Sequence, residues 1–188
     1  ISGGTGFIGY HLAKKCIRMG WEVTSFSKRK PKSIRTLKKV KYLTGDLIKK
    51  KELKVLKKKF DYVVNAAGVV DHSANENVFK AHYLGCKNLS DFFLKKKIKL
   101  FLQIGSCVEY GPQKSPQKEN FKSKMLDLKS MYSKGKFAAS QYLMQLHDKY
   151  NFPIIVFRLY LNYGPNQDFN RFLPVIIDGC VRNKKFPC

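Results

Sequence analysis

The 188 residues are enough for one domain with a sizeable core, and a 44% hydrophobic content excludes a disordered chain. No run of 18 apolar residues reads as a transmembrane span, so no membrane partner is expected. The net charge of +24 comes from 37 Lys and Arg against 13 Asp and Glu, but the lysines punctuate nearly every segment, as in KKKELKVLKKKF and FFLKKKIKL, without interleaved aromatics; they read as a bias of solvent faces, no nucleic-acid partner is expected, and an anionic ligand would profit from the field.

In chain order, a glycine-rich turn, ISGGTGFIG, opens into a helix over Phe7 to Met19. A short strand is expected over Trp21 to Phe26 and another over Val40 to Leu43, closed by Gly45-Asp46. Lys50 to Lys59 reads as a lysine-rich helix, and DYVVNAAG as a buried strand running into a tight turn. Glu76 to Lys96 forms a long helix, with Phe79, Tyr83, Leu89, Phe92 and Phe93 on or near one face. Ile98 to Ile104 is the next strand, Met131 to Tyr150 the second long helix, PIIVFRL a further strand, and Arg171 to Val181 a last helix. Lys114 to Lys129 is polar and aperiodic, a surface excursion near the site. Strands and helices alternating at this spacing predict an α/β fold, a Rossmann-like doubly wound parallel sheet with right-handed crossovers. Cysteines 16, 86, 107, 180 and 188 are odd in number and lack a CxxC pair, so neither a disulfide framework nor a metal site is expected, and a reducing, cytoplasmic setting is the default.

Gly3, Gly6 and Gly9 give GxxGxxG spacing. Gly3 takes the tight turn, Gly6 leaves room for a pyrophosphate, and Gly9 permits close helix–sheet contact. The helix starting at Phe7 then aims its free N–H groups at phosphate. After the predicted strand over Trp21 to Phe26, where an acid would favour NAD, stand Ser27, Lys28 and Arg29. They can bind a 2′-phosphate, so NADP is expected, with NAD the alternative. Asp46 serves either the adenine or a helix start.

YSKGK places Tyr132 and Lys136 one helical turn apart on one face. A tyrosine with its free pKa of about 10 needs a nearby ammonium to lower that value and make it a proton carrier at neutral pH. The same lysine can hold the ribose of a nicotinamide cofactor, and Ser106, at the carboxyl end of KLFLQIG, can hydrogen-bond the substrate oxygen.

Together these motifs resemble an extended short-chain dehydrogenase/reductase of the nucleotide-sugar, NAD-dependent epimerase/dehydratase family. GGTGFIG is similar to its cofactor turn, and Asp46-Leu47 and Asn65-Ala66-Ala67-Gly68 to its adenine-side and fourth-strand contacts. GSCVEYG resembles the segment with the catalytic Ser, YSKGK the YxxxK pair, and FRLYLNYGPNQ the turn toward the sugar nucleotide. The resemblance implies catalytic Ser106, Tyr132 and Lys136. Cofactor contacts would come from Gly3, Thr5, Gly6, Phe7, Ile8, Gly9, Ser27, Lys28, Arg29, Asp46, Leu47, Ala66, Ala67, Gly68, Tyr132 and Lys136. Substrate contacts would come from Ser106, Asn162 and Arg171, with no metal. Residues 1–160 would form the cofactor domain and 161–188 the start of a substrate lobe; the chain is expected to be a fragment lacking the first strand and the C-terminal lobe, from a homodimer acting on a nucleotide-diphospho-sugar.

Departures from the pattern narrow the chemistry. Dehydratases of the family carry an Asp-Glu pair where this chain has Cys107 and Val108, so a 4,6-dehydratase is not expected. Cys107 reads as a small wall residue. His82 stands where Asn is common, either packing between helices or binding backbone near the nicotinamide. Glu119 matches an acid of the loop between Ser and Tyr, with no assigned role. Three functions follow: an NADP-linked 4-keto-sugar reductase, a 4-epimerase (an isomerase) with held NAD, and a non-catalytic NADP-binding protein, against which the intact Ser, Tyr and Lys argue.

Overall fold

The computed structural model describes residues 1–69, 76–120 and 123–184. Its strands pair in parallel throughout. Val23–Ser27 (β1) pairs with Val40–Thr44 (β2), while Tyr62–Asn65 (β3), Leu100–Ser106 (β4) and Ile154–Leu159 (β5) pair in that order. Residues 1 and 2 stitch the two sets together. Ser2 N–H donates to Val64 O at 2.8 Å, Ala66 N–H donates to Ser2 O at 3.0 Å, and Phe26 N–H donates to Ile1 O at 3.0 Å. Beside this stitch β1 and β3 flank a cleft of about 320 Å³, lined among others by Thr24, Phe26, Tyr62 and Val63.

Helices pack on the sheet, and β3 and β4 are near-continuous apolar runs, while β5 alternates in burial and leaves Ile155 and Phe157 exposed. On one face Phe7–Arg18 (α1) sets Ala13 against Val23 and Val40. On the other, Glu76–Leu94 (α2) and Met131–Tyr150 (α3) pack Leu89, Phe93, Leu143 and Leu146 against Val63 and Phe101. The buried stripe of α2 is Val78, His82, Cys86, Leu89 and Phe93, at helical spacing; Phe79, Tyr83 and Phe92 lie on its half-buried flank. The Ser130 hydroxyl caps α3 by accepting the Ser133 N–H at 3.1 Å, and Asn151, with φ of 50°, ends it. This cap fixes where Tyr132 and Lys136 enter the helix.

The expected helix over 50–59 is absent. Lys50–Val55 makes only a short 3₁₀ turn, ending before Leu56. Six lysines in ten residues repel one another, and Leu53 and Leu56 alone are buried, too few to hold an amphipathic helix. Phe172–Val181 (α4) forms as expected, with Arg171 at its N-cap. The excursion over 114–129, of which residues 121 and 122 lie outside the described chain, is held to β5 and the loop after it: Arg158 Nη1 donates to Glu119 O at 3.2 Å and the Tyr160 hydroxyl to Gln117 Oε1 at 2.7 Å. Among the described residues, no helix is long and apolar enough to cross a membrane.

Candidate functional site

Parallel strands end on one edge, and the site forms there. The turn after residues 1–2 bends at Gly3, whose φ is +71° and whose N–H donates to Phe26 O at 2.9 Å. A Cβ on Gly9 would strike Gly3 O and lie 2.7 Å from Gly4 Cα. A Cβ on Gly6 would meet only Gly3 O, at 3.3 Å, so the space above Gly6 is open. α1 starts with no side-chain cap and no acid in its first turn, leaving its N–H groups free for an anion. This cradle fits a dinucleotide phosphate.

From it a cleft of about 590 Å³ runs across the edge. Along its walls it brings together Gly3, Gly6, Phe7, Ile8 and Gly9, then Ala66, Ala67 and Gly68, then Ser106, Tyr132 and Lys136, and finally Asn162 and Arg171. The other expected cofactor residues do not line it. Leu47 is buried in the core, and Thr5 is half-buried in the turn. Ser27 is buried with an unpartnered hydroxyl, and Arg29 is exposed. Lys28 is engaged: its ammonium pairs with Asp46 at 3.0 Å. Burial alone would raise the Asp46 carboxyl, but the Ile48 N–H and Lys28 hold it below its usual range.

At the centre, Ser106 and Tyr132 line the cleft together, and Ser106 acts on the Tyr132 phenol so as to lower its titration. The Lys136 ammonium lies 5.9 Å from the Tyr132 ring centroid and donates to Ile104 O at 2.6 Å. Burial brings Lys136 down to about 8, against the pull of Glu109. Burial also raises the Tyr132 phenol above its ordinary value, with Ser106 opposing. Burial is the largest influence on the Tyr132 phenol in this structure, and the Lys136 ammonium, expected to make it more acidic, is engaged by the Ile104 carbonyl. Tyr132 holds its proton at neutral pH.

Lys136 ends a buried chain of polar contacts. Ser2 Oγ donates to Asn65 Oδ1 at 2.6 Å, Asn65 Nδ2 to Gln103 Oε1 at 2.8 Å, and Gln103 Nε2 to Ile104 O at 3.2 Å, the carbonyl that also takes Lys136. The glycine turn and the lysine are thus held by one interior line.

His82 packs edge-on against Tyr132, ring centroids 4.9 Å apart, with Nε2 2.8 Å from Val69 O. Both expected roles apply, since it packs between α2 and α3 and binds backbone beside the cleft. Gly68 and Gly135 make room for the ring; a Cβ on Gly135 would lie 3.1 Å from His82 Cβ. Burial, reinforced by the Lys136 charge, pushes His82 down to about 4. An unfolded His titrates near 6.5, so between those values the unfolded chain binds the extra proton. The contribution is full above pH 6.5 and is lost as pH falls toward 4, by roughly 3 kcal/mol. Urea midpoints measured from pH 7 to pH 4 should fall accordingly, and His82→Asn should flatten that part of the profile.

Two features were missed in the sequence. Glu109 is buried beneath Ser106, a signal present as Ser106-x-x-Glu109, the spacing of a capping box. Asp168 pairs with Lys32 at 2.7 Å and with Arg35 at 3.0 Å, tying the loop after β5 to the basic segment after β1. No local pattern reveals a contact over such a separation.

A family model described as the NAD dependent epimerase/dehydratase family matches residues 1–188. The chain belongs to the NAD-dependent epimerase/dehydratase family. It is 26% identical, over 98% of its length, to a dTDP-D-glucose 4,6-dehydratase of Dictyostelium discoideum. It is 29% identical, over 65% of its length, to a bifunctional UDP-glucose 4-epimerase and UDP-xylose 4-epimerase of Pisum sativum. It spans 48% and 40% of those two proteins, about half or less of the curated relatives it matches. Its fold is that of the dTDP-glucose 4,6-dehydratase of Bacillus anthracis, solved with NAD: TM-score 0.85 at 21% identity, covering 99% of this chain and 61% of that one.

Proposed function

We propose that the chain carries the cofactor cradle and proton-transfer group of an enzyme acting at C4 of a nucleotide-diphospho-sugar, most simply an NADP-linked 4-keto-sugar reductase. The observation that carries this reading is the convergence of Ser106, Tyr132 and, one helical turn on, buried Lys136 in a cleft continuous with the open Gly6 cradle. A bound nicotinamide supplies hydride exchange. Tyr132, protonated at neutral pH, gives its hydroxyl proton to the C4 oxygen as charge develops there, and takes it back in the reverse sense. Ser106 hydrogen-bonds the same oxygen, and Lys136 holds the ribose and offsets the phenolate charge. Arg171 and Asn162, on the cleft wall, meet the substrate's diphosphate and sugar.

Cys107 and Val108 offer no acid for water elimination, which disfavours the dehydratase chemistry of one relative. The choice of NADP rests on Ser27, Lys28 and Arg29. A 4-epimerase holding NAD is the second reading, supported by the pairing of Lys28 with Asp46, which engages one cation of that stretch, and by the epimerase relative. Arg29→Ala should weaken NADPH binding roughly fivefold to tenfold while sparing NADH, as loss of one charge-assisted phosphate contact would. Fluorescence titration with both cofactors checks it; equal losses would favour the epimerase. Mass spectrometry of ligand released from the protein separates the two readings directly, since retained NAD belongs to an epimerase. A homodimer through α2 and α3 and a cytoplasmic setting complete the proposal.

A further inference from the structure

Glu109 lies in the 3₁₀ turn Cys107–Tyr110 that follows β4 and is 1% exposed. One carboxylate oxygen accepts the Ser106 N–H at 2.7 Å. The other accepts the Ser140 hydroxyl at 2.6 Å and faces Arg158 Nε at 3.3 Å. A Cβ on Gly105 would lie 2.5 Å from the carboxylate, so that glycine lets the group sit flush on the strand end. Three elements thus meet on one side chain: Ser106 ends β4, Ser140 lies one turn beyond Lys136 on α3, and Arg158 belongs to β5. Glu109 also interacts electrostatically with Lys136.

Burying a carboxylate is costly even when it is paired, and an aliphatic side chain would fill this volume without that cost. Packing therefore does not account for an acid here. Its placement does: it touches the backbone of the serine and the helix of the tyrosine and lysine. We propose that Glu109 is a positioning residue, locking the Ser106 backbone in register with α3, with its carboxylate acting electrostatically on the Lys136 ammonium. The role rests on the reading of Ser106, Tyr132 and Lys136 as the proton-transfer group.

Among the described residues, the other groups facing that pair include Cys86 on Lys136, Cys107 and Arg171 on Tyr132, and His82 on both. None of them changes in the variants that follow. Glu109→Gln keeps the size and can still accept the Ser106 N–H, but removes the charge. It should lower kcat roughly tenfold to a hundredfold while leaving the NADPH Kd within about twofold. Lys136, followed by NMR of ¹³C-labelled lysine and assigned with Lys136→Arg, should titrate at lower pH than in the wild type. Glu109→Asp keeps the charge but loses reach. It should leave the Lys136 titration near that of the wild type while the Ser106 amide proton moves upfield as its hydrogen bond breaks.

A folded Glu109→Gln with wild-type kcat, or with an unmoved Lys136 titration, overturns the assignment. If that variant does not fold, Glu109→Asp decides, and an unmoved Ser106 amide proton overturns it. The NMR readouts need no turnover. A wild type inactive on nucleotide sugars would therefore sink the C4 chemistry and leave the role of Glu109 to be judged by them.

Discussion

Tyr132→Phe is expected to cut turnover about a thousandfold while cofactor affinity stays within about twofold of the wild type. The substitution removes one oxygen and keeps the ring, so the edge-on packing against His82 persists. Lys136 keeps its hydrogen bond to Ile104 O, and the glycine cradle is untouched. What disappears is the hydroxyl donor that shares the cleft with Ser106. Because burial keeps the phenol protonated, its proton is available for transfer at neutral pH, and no neighbouring side chain can replace it. Lys136 points at a carbonyl, and His82 is held neutral with Nε2 on Val69 O. Steady-state rates on a 4-keto nucleotide sugar, beside a cofactor titration, give the comparison; turnover near that of the wild type would remove Tyr132 from the chemistry.

Gly9→Ala should be the most damaging small substitution in the cradle. Its methyl would run into the carbonyl of Gly3 and lie 2.7 Å from Gly4 Cα, backbone in both cases, so no side chain can swing aside. Either α1 backs away from the turn or the turn opens. The cost should be roughly 2–3 kcal/mol of stability, and NADPH affinity should fall at least about tenfold because the phosphate-facing N–H groups lose their aim. Gly6→Ala is the matched control. Its methyl meets only Gly3 O at 3.3 Å and projects into open cleft, so the fold should survive while the cofactor is crowded. Urea denaturation and fluorescence titration of the two variants separate the effects, and wild-type stability in Gly9→Ala would contradict the backbone contact.

Periodic apolar runs made most of the fold legible. β1 to β5 and α1 to α4 fall where the sequence put them, to within a few residues, because each buries a face that its pattern announces. The 50–59 segment failed because lysine has good helix propensity and repulsion between neighbouring lysines does not show in a propensity scale. Ser106, Tyr132 and Lys136 were legible as a set, from spacing and position at a strand end. The acidity of Tyr132 was not, since it depends on how much water reaches the phenol, and that is decided by α2 and the strand ends together. Lys28 looked free because its partner Asp46 sits on the neighbouring strand's loop. Glu109 was hidden in plain view: a carboxylate two residues before a glycine reads as solvent-facing until Ser140 and Arg158, from two other elements, are seen to enclose it.

The interior line from Ser2 through Asn65 and Gln103 to the carbonyl shared with Lys136 bears on how such a protein can drift over generations. Exchanging Asn65 or Gln103 for an aliphatic residue leaves a donor or acceptor stranded next door, at about 1–3 kcal/mol each. Exchanging both together removes the amide pair's mutual loss and strands the Ser2 hydroxyl and the Cys86 thiol beside it. These two positions should co-substitute as a pair, whereas the many lysines outside can be traded one by one without the chemistry noticing.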